Sequence, residues 1–222
     1  MKKLIFTLIL CAVASSVVVA QTRENFEERK ELRKLSKAEL NTKATKDARK
    51  EAKRLQKEGW MPAPGALPLD KQLDRSFLMQ MEYDDDMFPK YLMAQSMSIG
   101  SNYDAAKMQA IELAKLDLAG QINTEIAALV ENSVSNNQLE AEEAASVTKS
   151  VSESMSRIQG NIGRVITVLE VYRTLKNKNK EVMVRIAYNS SMAKAAAKKA
   201  IQEDLATQGE ELRNKLDEVL GW

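Results

Sequence analysis

Histidine is absent from this sequence, and its single cysteine is Cys11. Aromatic residues make up only 5% of it, and prolines number four. Each absence excludes something. Without histidine there is no Ser-His triad and no His-ligated zinc, and a lone cysteine forms no intrachain disulfide. With so few aromatics, any core must be built of aliphatic side chains, Met and Ala. Long apolar runs are also missing, save one. Residues Leu4 to Gln21, "LIFTLILCAVASSVVVAQ", carry no charge and follow Lys2 and Lys3.

That run is shorter than the ~20 apolar residues of a membrane span. Its basic start, apolar centre and the small pair Val18 and Ala20 are those of a secretory signal peptide cut after Ala20. Residues 1–20 are therefore expected to be removed, leaving an exported chain that does not span a membrane. Cys11 sits inside the apolar run with Leu10 before it, where lipoprotein processing needs a small residue, so it reads as part of the signal core. The remaining chain has neither cysteine nor histidine, which also removes thiol catalysis. It holds 31 basic against 31 acidic side chains. Export into an oxidising compartment permits disulfides, yet none is available, so packing alone must stabilise the fold.

What is present divides into segments. Residues 21–58 are dense in charge, with 13 Lys+Arg against 8 Asp+Glu. Ser36 and Glu39 have capping-box spacing, Ala44, Ala48, Ala52 and Leu55 recur at helical intervals, and Gly59 offers a stop. So thin an apolar stripe predicts a protruding or loosely docked helical arm. "GWMPAPGALPLD" holds three of the four prolines and two of the eight glycines, and residues 59–69 read as a semi-rigid linker. Trp60 at its head is either an anchor into a partner or a cover for the domain's own apolar surface.

Residues 70–222 read as an α+β domain. A short helix with Leu69, Leu73, Phe77 and Met81 on one face precedes the break "EYDDDMFPK". "KYLMAQSMSI" reads as a strand. From Tyr103 to Val130, Ile111, Ala114, Leu118, Ile122, Ile126 and Leu129 share a helical face. A second helix spans Gln138 to Arg157, with Ala144, Val147, Val151 and Met155 inward. "RVITVLEVYRTL" and "EVMVRIAY" are β-branched strands joined by the polar loop "KNKNK". A long C-terminal helix, apolar at Met192, Ile201, Leu205, Leu212, Leu216 and Val219, closes the chain. The expected fold is a three-stranded antiparallel sheet covered on one face by long helices. The C-terminal stripe either packs on that sheet or pairs with a second copy, giving a homo-oligomer.

The candidate chemistry is thin. "SIGSNYDAAK" has the strand–glycine–helix order of a phosphate loop, but such loops need several convergent backbone N–H groups. Gly100 stands alone, and Ser101 with Asp104 has capping geometry, so the segment is expected to turn a corner. Asp84, Asp85 and Asp86 are the best candidate metal ligands, since hard cations take carboxylate oxygens. They lack the alternation, central Gly and terminal Glu of an EF-hand loop and read as a solvated acidic loop. Glu140 and Glu143 lie one turn apart on a wet helix face. Ser146 and Lys149 have S-x-x-K spacing without the other elements of penicillin-binding enzymes. No catalytic residue, cofactor or nucleic-acid partner is assigned.

"PKYLMAQSMSIGSNYDAAKMQAIELAKLDLAGQI", followed by "RVITVLEVYRTL" and "EVMVRIAY", resembles the Lpp-twenty type family of small bacterial envelope lipoproteins across roughly residues 88–188. The resemblance implies a non-enzymatic envelope domain. It transfers no anchor, because the lipoprotein cysteine is missing, and no catalytic residue. Two functions are therefore expected as alternatives. One is an exported structural or interaction protein of the cell envelope, in contact with an envelope protein or cell-wall polymer. The other is a module binding calcium or an envelope saccharide through Asp84–Asp86, with Tyr83 and Tyr91 beside them.

Overall fold

The computed structural model describes residue positions 30, 34, 41–85, 87–135, 140–205, 214 and 217. Chain contacts divide it into Met1–Ala44 and a compact unit Thr45–Trp222, and everything below concerns the second unit. The signal segment, the Ser36–Glu39 box, and Leu212, Leu216 and Val219 of the expected oligomer stripe lie outside the described residues.

Helix α1, Lys46–Lys57, is started by Thr45, whose hydroxyl accepts from the Ala48 N–H at 3.3 Å and donates to Asp74 at 2.6 Å. Gly59 stops it at φ +87°, with its N–H on the Gln56 carbonyl and the Trp60 N–H on the Leu55 carbonyl, both 3.0 Å. That pair of bonds is a Schellman cap, which needs a left-handed residue at its centre. Ala48, Ala52 and Leu55 are buried, and the helix packs on α2, Leu69–Gln80. The stripe expected to leave an arm loosely docked is narrow because alanines let the two helices approach closely.

On α2 the buried face differs from the one expected. Leu69 and Leu73 are buried, but Met81 is 73% exposed and lies past the helix end, while Gln72, Ser76 and Met79 face inward. Hydrophobic periodicity cannot register a polar residue on the core side, and both polar residues there are hydrogen-bonded. Gln72 donates to the Leu67 carbonyl and accepts from the Glu170 N–H, each at 2.7 Å. The register shift between Thr167 and Leu169 disrupts the ladder beside Glu170, and Gln72 serves the N–H there.

The sheet has four strands in the order β1-β3-β4-β2, all antiparallel: β1 Met61–Pro62, β2 Tyr91–Gly100, β3 Ile166–Thr174 and β4 Lys180–Asn189. The expected sheet had three. The extra strand is two residues long and lies inside the Pro/Gly segment read as a linker, where Pro62 is tolerated because β1 is an edge. The β3–β4 hairpin forms as expected, but Lys178, not an Asn, takes the left-handed position at φ +68°.

Helix α3, Tyr103–Ser135, lies on the sheet and buries a residue at every fourth position from Ala106 through Val130. Leu129, expected inside, is 42% exposed. The second helix is broken at buried Ser154 into α4, Ala141–Glu153, and α5, Met155–Asn161. Helix α6, Ser190–Leu205, packs through Ala193, Ala196, Ala197, Ala200 and Ile201, whereas Met192 is half exposed. The described helices number six.

These helices do not all cover one face. Val182, Val184, Ile186 and Tyr188 of β4 join Ala94 and α3 in the main core. Ala187 joins Met79 of α2 and Val168 on the other side. Side chains alternate along a strand, so the two clusters occupy opposite faces. The result is three layers, with α1–α2 on one face and α3–α6 on the other, instead of one covered face. The signal was in "EVMVRIAY", whose near-continuous apolar run suits a strand buried on both faces.

Candidate functional site

Charge within an apolar strand is the feature that leads to the site. Arg185 stands between Val184 and Ile186 on β4, pointing to the α1–α2 face. Its Nη1 donates to the hydroxyl of fully buried Ser76 at 2.9 Å. Its Nε and Nη2 both donate to Gln95 Oε1 on β2, at 3.0 and 2.7 Å. Three of the five guanidinium N–H groups are thereby engaged by neutral acceptors, leaving two on the terminal nitrogens. Among the described residues no carboxylate lies within 4.0 Å of it. Burial lowers its pKa, and only the more distant Glu51 opposes that. A half-buried cation held by neutral groups is costly unless an anion completes it.

Arg185 opens into a cleft of about 670 Å³. Leu73 and Phe77 of α2 give it an apolar wall, and α1 lines it with Lys50, Lys53, Arg54 and Lys57 alongside Asp47 and Glu51. Five cations thus face two carboxylates. One carboxylate is already committed, because Arg54 donates to both Glu51 oxygens at 2.6 and 2.9 Å and holds that carboxyl below the usual carboxylate range. Arg54 also pairs with Glu58. Lys50, Lys53 and Lys57 make no ion pair among the described residues. The arrangement can neutralise and hold an anion: a desolvated planar fork at the base, mobile ammonium groups at the rim.

The residues singled out from the sequence fall elsewhere. Trp60, a candidate partner anchor, is only 3% exposed and lies under the Arg173 guanidinium, 4.5 Å from the ring centroid. Arg173 itself is held by Glu181 and by the Glu58 carbonyl, so Trp60 covers apolar surface of its own domain and offers almost none to a partner. Tyr83 is exposed on a small hairpin in which it bridges to Pro89. Tyr91 packs against Met79, Val168 and Ala187, with Lys90 5.7 Å from its ring.

Asp84 turns inward on its own loop, its carboxylate accepting from the Phe88 N–H at 2.8 Å. Asp85 lies in the turn and Asp86 outside the described residues. Among the described residues, no three His, Cys, Asp or Glu side chains gather where they could hold a metal ion.

At the strand–helix corner, Asn102 caps α3 by accepting from the Ala105 N–H at 2.8 Å, the role expected of Ser101. Lys107 is committed to Glu170 at 2.7 Å, and Glu170 also accepts from the Tyr103 hydroxyl. The corner therefore ties α3 to β3 and holds no phosphate cradle. Ser146 donates to the Glu142 carbonyl and Lys149 lies 3.9 Å from Glu153, so the two make no nucleophile–base pair. Glu143 accepts from the Glu140 N–H at 3.1 Å, a helix-start contact. No family model, curated protein or solved structure matches this chain. No helix among the described residues is long and apolar enough to cross a membrane.

Proposed function

We propose that this chain is an exported, non-enzymatic interaction protein of the bacterial cell envelope that holds an anionic group of its partner in the Arg185 cleft. The observation that carries the reading is Arg185, desolvated at the base of a cationic cleft and held, among the described residues, only by Ser76 and Gln95. Export rests on the N-terminal basic and apolar segment, and the envelope setting on the resemblance across residues 88–188. A carboxylate or phosphate arriving end-on meets the two remaining guanidinium N–H groups, and the rim lysines add long-range attraction that salt screens.

The test is thermal unfolding of the purified protein at low ionic strength with inorganic phosphate as the probe. A ligand at ten times its Kd adds about 1.4 kcal/mol to stability, which raises Tm by about 3–5 °C in a protein of this size. Arg185→Gln should abolish the rise, and salt should reduce it. An equal rise in Arg185→Gln would show that phosphate acts elsewhere and would overturn the assignment.

A further inference from the structure

β2 is an edge strand. It pairs with β4 over its whole length, Tyr91↔Asn189 to Gly100↔Lys180, without a bulge, and no described strand pairs with its other side. Proteins usually blunt such an edge with a charge, a proline or a bulge. The ten residues "YLMAQSMSIG" contain no charge and no proline. Gln121 of α3 takes the Met93 carbonyl at 3.0 Å, so among the described residues the open stretch runs from Gln95 to Gly100.

Two further facts give the edge a direction. Gln95, Met97 and Ile99 share the face that carries Arg185, and Met97 and Ile99 are 52% and 51% exposed. The Arg185 guanidinium leans onto Gln95, toward the open edge. A strand laid beside β2 would therefore set side chains on one face opposite Gln95, Met97 and Ile99, one rung from the cationic cleft.

We infer that the open edge of β2 binds an extended, acidic segment of a partner protein as a fifth strand. Its carboxylates turn to Arg185 and the α1 lysines, and its apolar side chains lie over Met97 and Ile99. Charge complementarity selects this occupant over a second copy of the chain, because copies paired edge to edge bring two cationic clefts together. The inference rests on the cleft's being an anion site and adds the backbone pairing that recognises the partner.

A synthetic, end-capped ten-residue peptide tests it by fluorescence anisotropy, beside a fully N-methylated twin. Its alternate positions, the set that faces Gln95, Met97 and Ile99, carry Glu in one half and Val in the other, with Thr between them. The twin keeps every side chain and donates no backbone N–H. The unmethylated peptide should bind about tenfold more tightly or better, the factor expected from losing one or two net hydrogen bonds of the pairing. Arg185→Gln and Met97→Glu should each weaken it; Met97 is exposed, so its replacement leaves the fold intact. Equal affinity for the two peptides, or binding of neither while phosphate still raises Tm, would overturn the strand addition and leave the anion site standing. Loss of the phosphate effect as well would remove both. A concentration-dependent dimer dissolved by Met97→Glu would make the second copy the occupant and overturn the inference.

Discussion

Replacing Gly100 by alanine tests the corner where β2 meets α3. A Cβ built there lies 2.8 Å from the Ala106 backbone nitrogen and 3.2 Å from both Ala106 Cα and Cβ. The obstruction is mostly backbone, so no side chain can rotate away. The helix cannot retreat easily either, since Ala106, Ala110 and Ala114 are fully buried along its seat. Overpacking of this kind costs about 1–3 kcal/mol. With an m-value of about 2–3 kcal/mol/M, the urea midpoint should fall by about 0.3–1.5 M with m unchanged. Gly160→Ala is the control: nothing lies within 4 Å of its Cβ, and it sits near the end of α5. There alanine should stabilise by about 0.4–1 kcal/mol. A Gly100→Ala midpoint equal to that of the parent would refute the close approach of strand and helix, and with it the reason a glycine occupies this corner.

Other perturbations follow from the same packing. Gly59→Ala strains the left-handed position of the Schellman cap and should cost about 1 kcal/mol in urea unfolding. Leu118→Ala empties a fully buried site on α3 and should cost about 2–5 kcal/mol by the same assay. Burial, then the Glu170 contact, raises the Tyr103 pKa, so the folded state disfavours its ionisation. The stability from that neutral hydroxyl is complete below the unfolded tyrosine value of about 10 and is lost as pH climbs beyond it. Tyr103→Phe should therefore flatten the fall in urea midpoint above pH 10, and an unchanged alkaline slope would count against the contact.

Much of the fold was legible in the sequence because it follows from period and punctuation. The four-residue spacing of Ala114, Leu118, Ile122 and Ile126 specifies a helix face, and Gly59 is a stop that only a left-handed residue makes cheaply. β3 and β4 were readable as β-branched runs around a polar loop. β1 was not, because a two-residue strand carries no alternation and its proline argues against pairing. The inward face of α2 was missed because Gln72 and Ser76 are polar, and only their tertiary partners justify burying them. The third layer was missed because "EVMVRIAY" was read for strand character and not for its want of alternation.

The cleft was hidden for a related reason. Arg185 is one cation among many in the sequence. What distinguishes it is the neutral company of Ser76 and Gln95, which are 109 and 90 residues away along the chain. Its one local trace is a charge inside an otherwise apolar strand. The acidic run Asp84–Asp86 drew attention through composition alone, yet Asp84 spends its carboxylate on the Phe88 N–H of its own turn.

The central claim is that Arg185 holds an anion. Phosphate titration of the isotopically labelled protein, followed through the arginine Nε–H resonances and backbone amides by NMR, addresses it most directly. The account predicts saturable, concerted shifts at Arg185, Gln95 and Phe77 that vanish in Arg185→Gln. Shifts that grow without saturation, spread over the surface lysines and survive that substitution would contradict it.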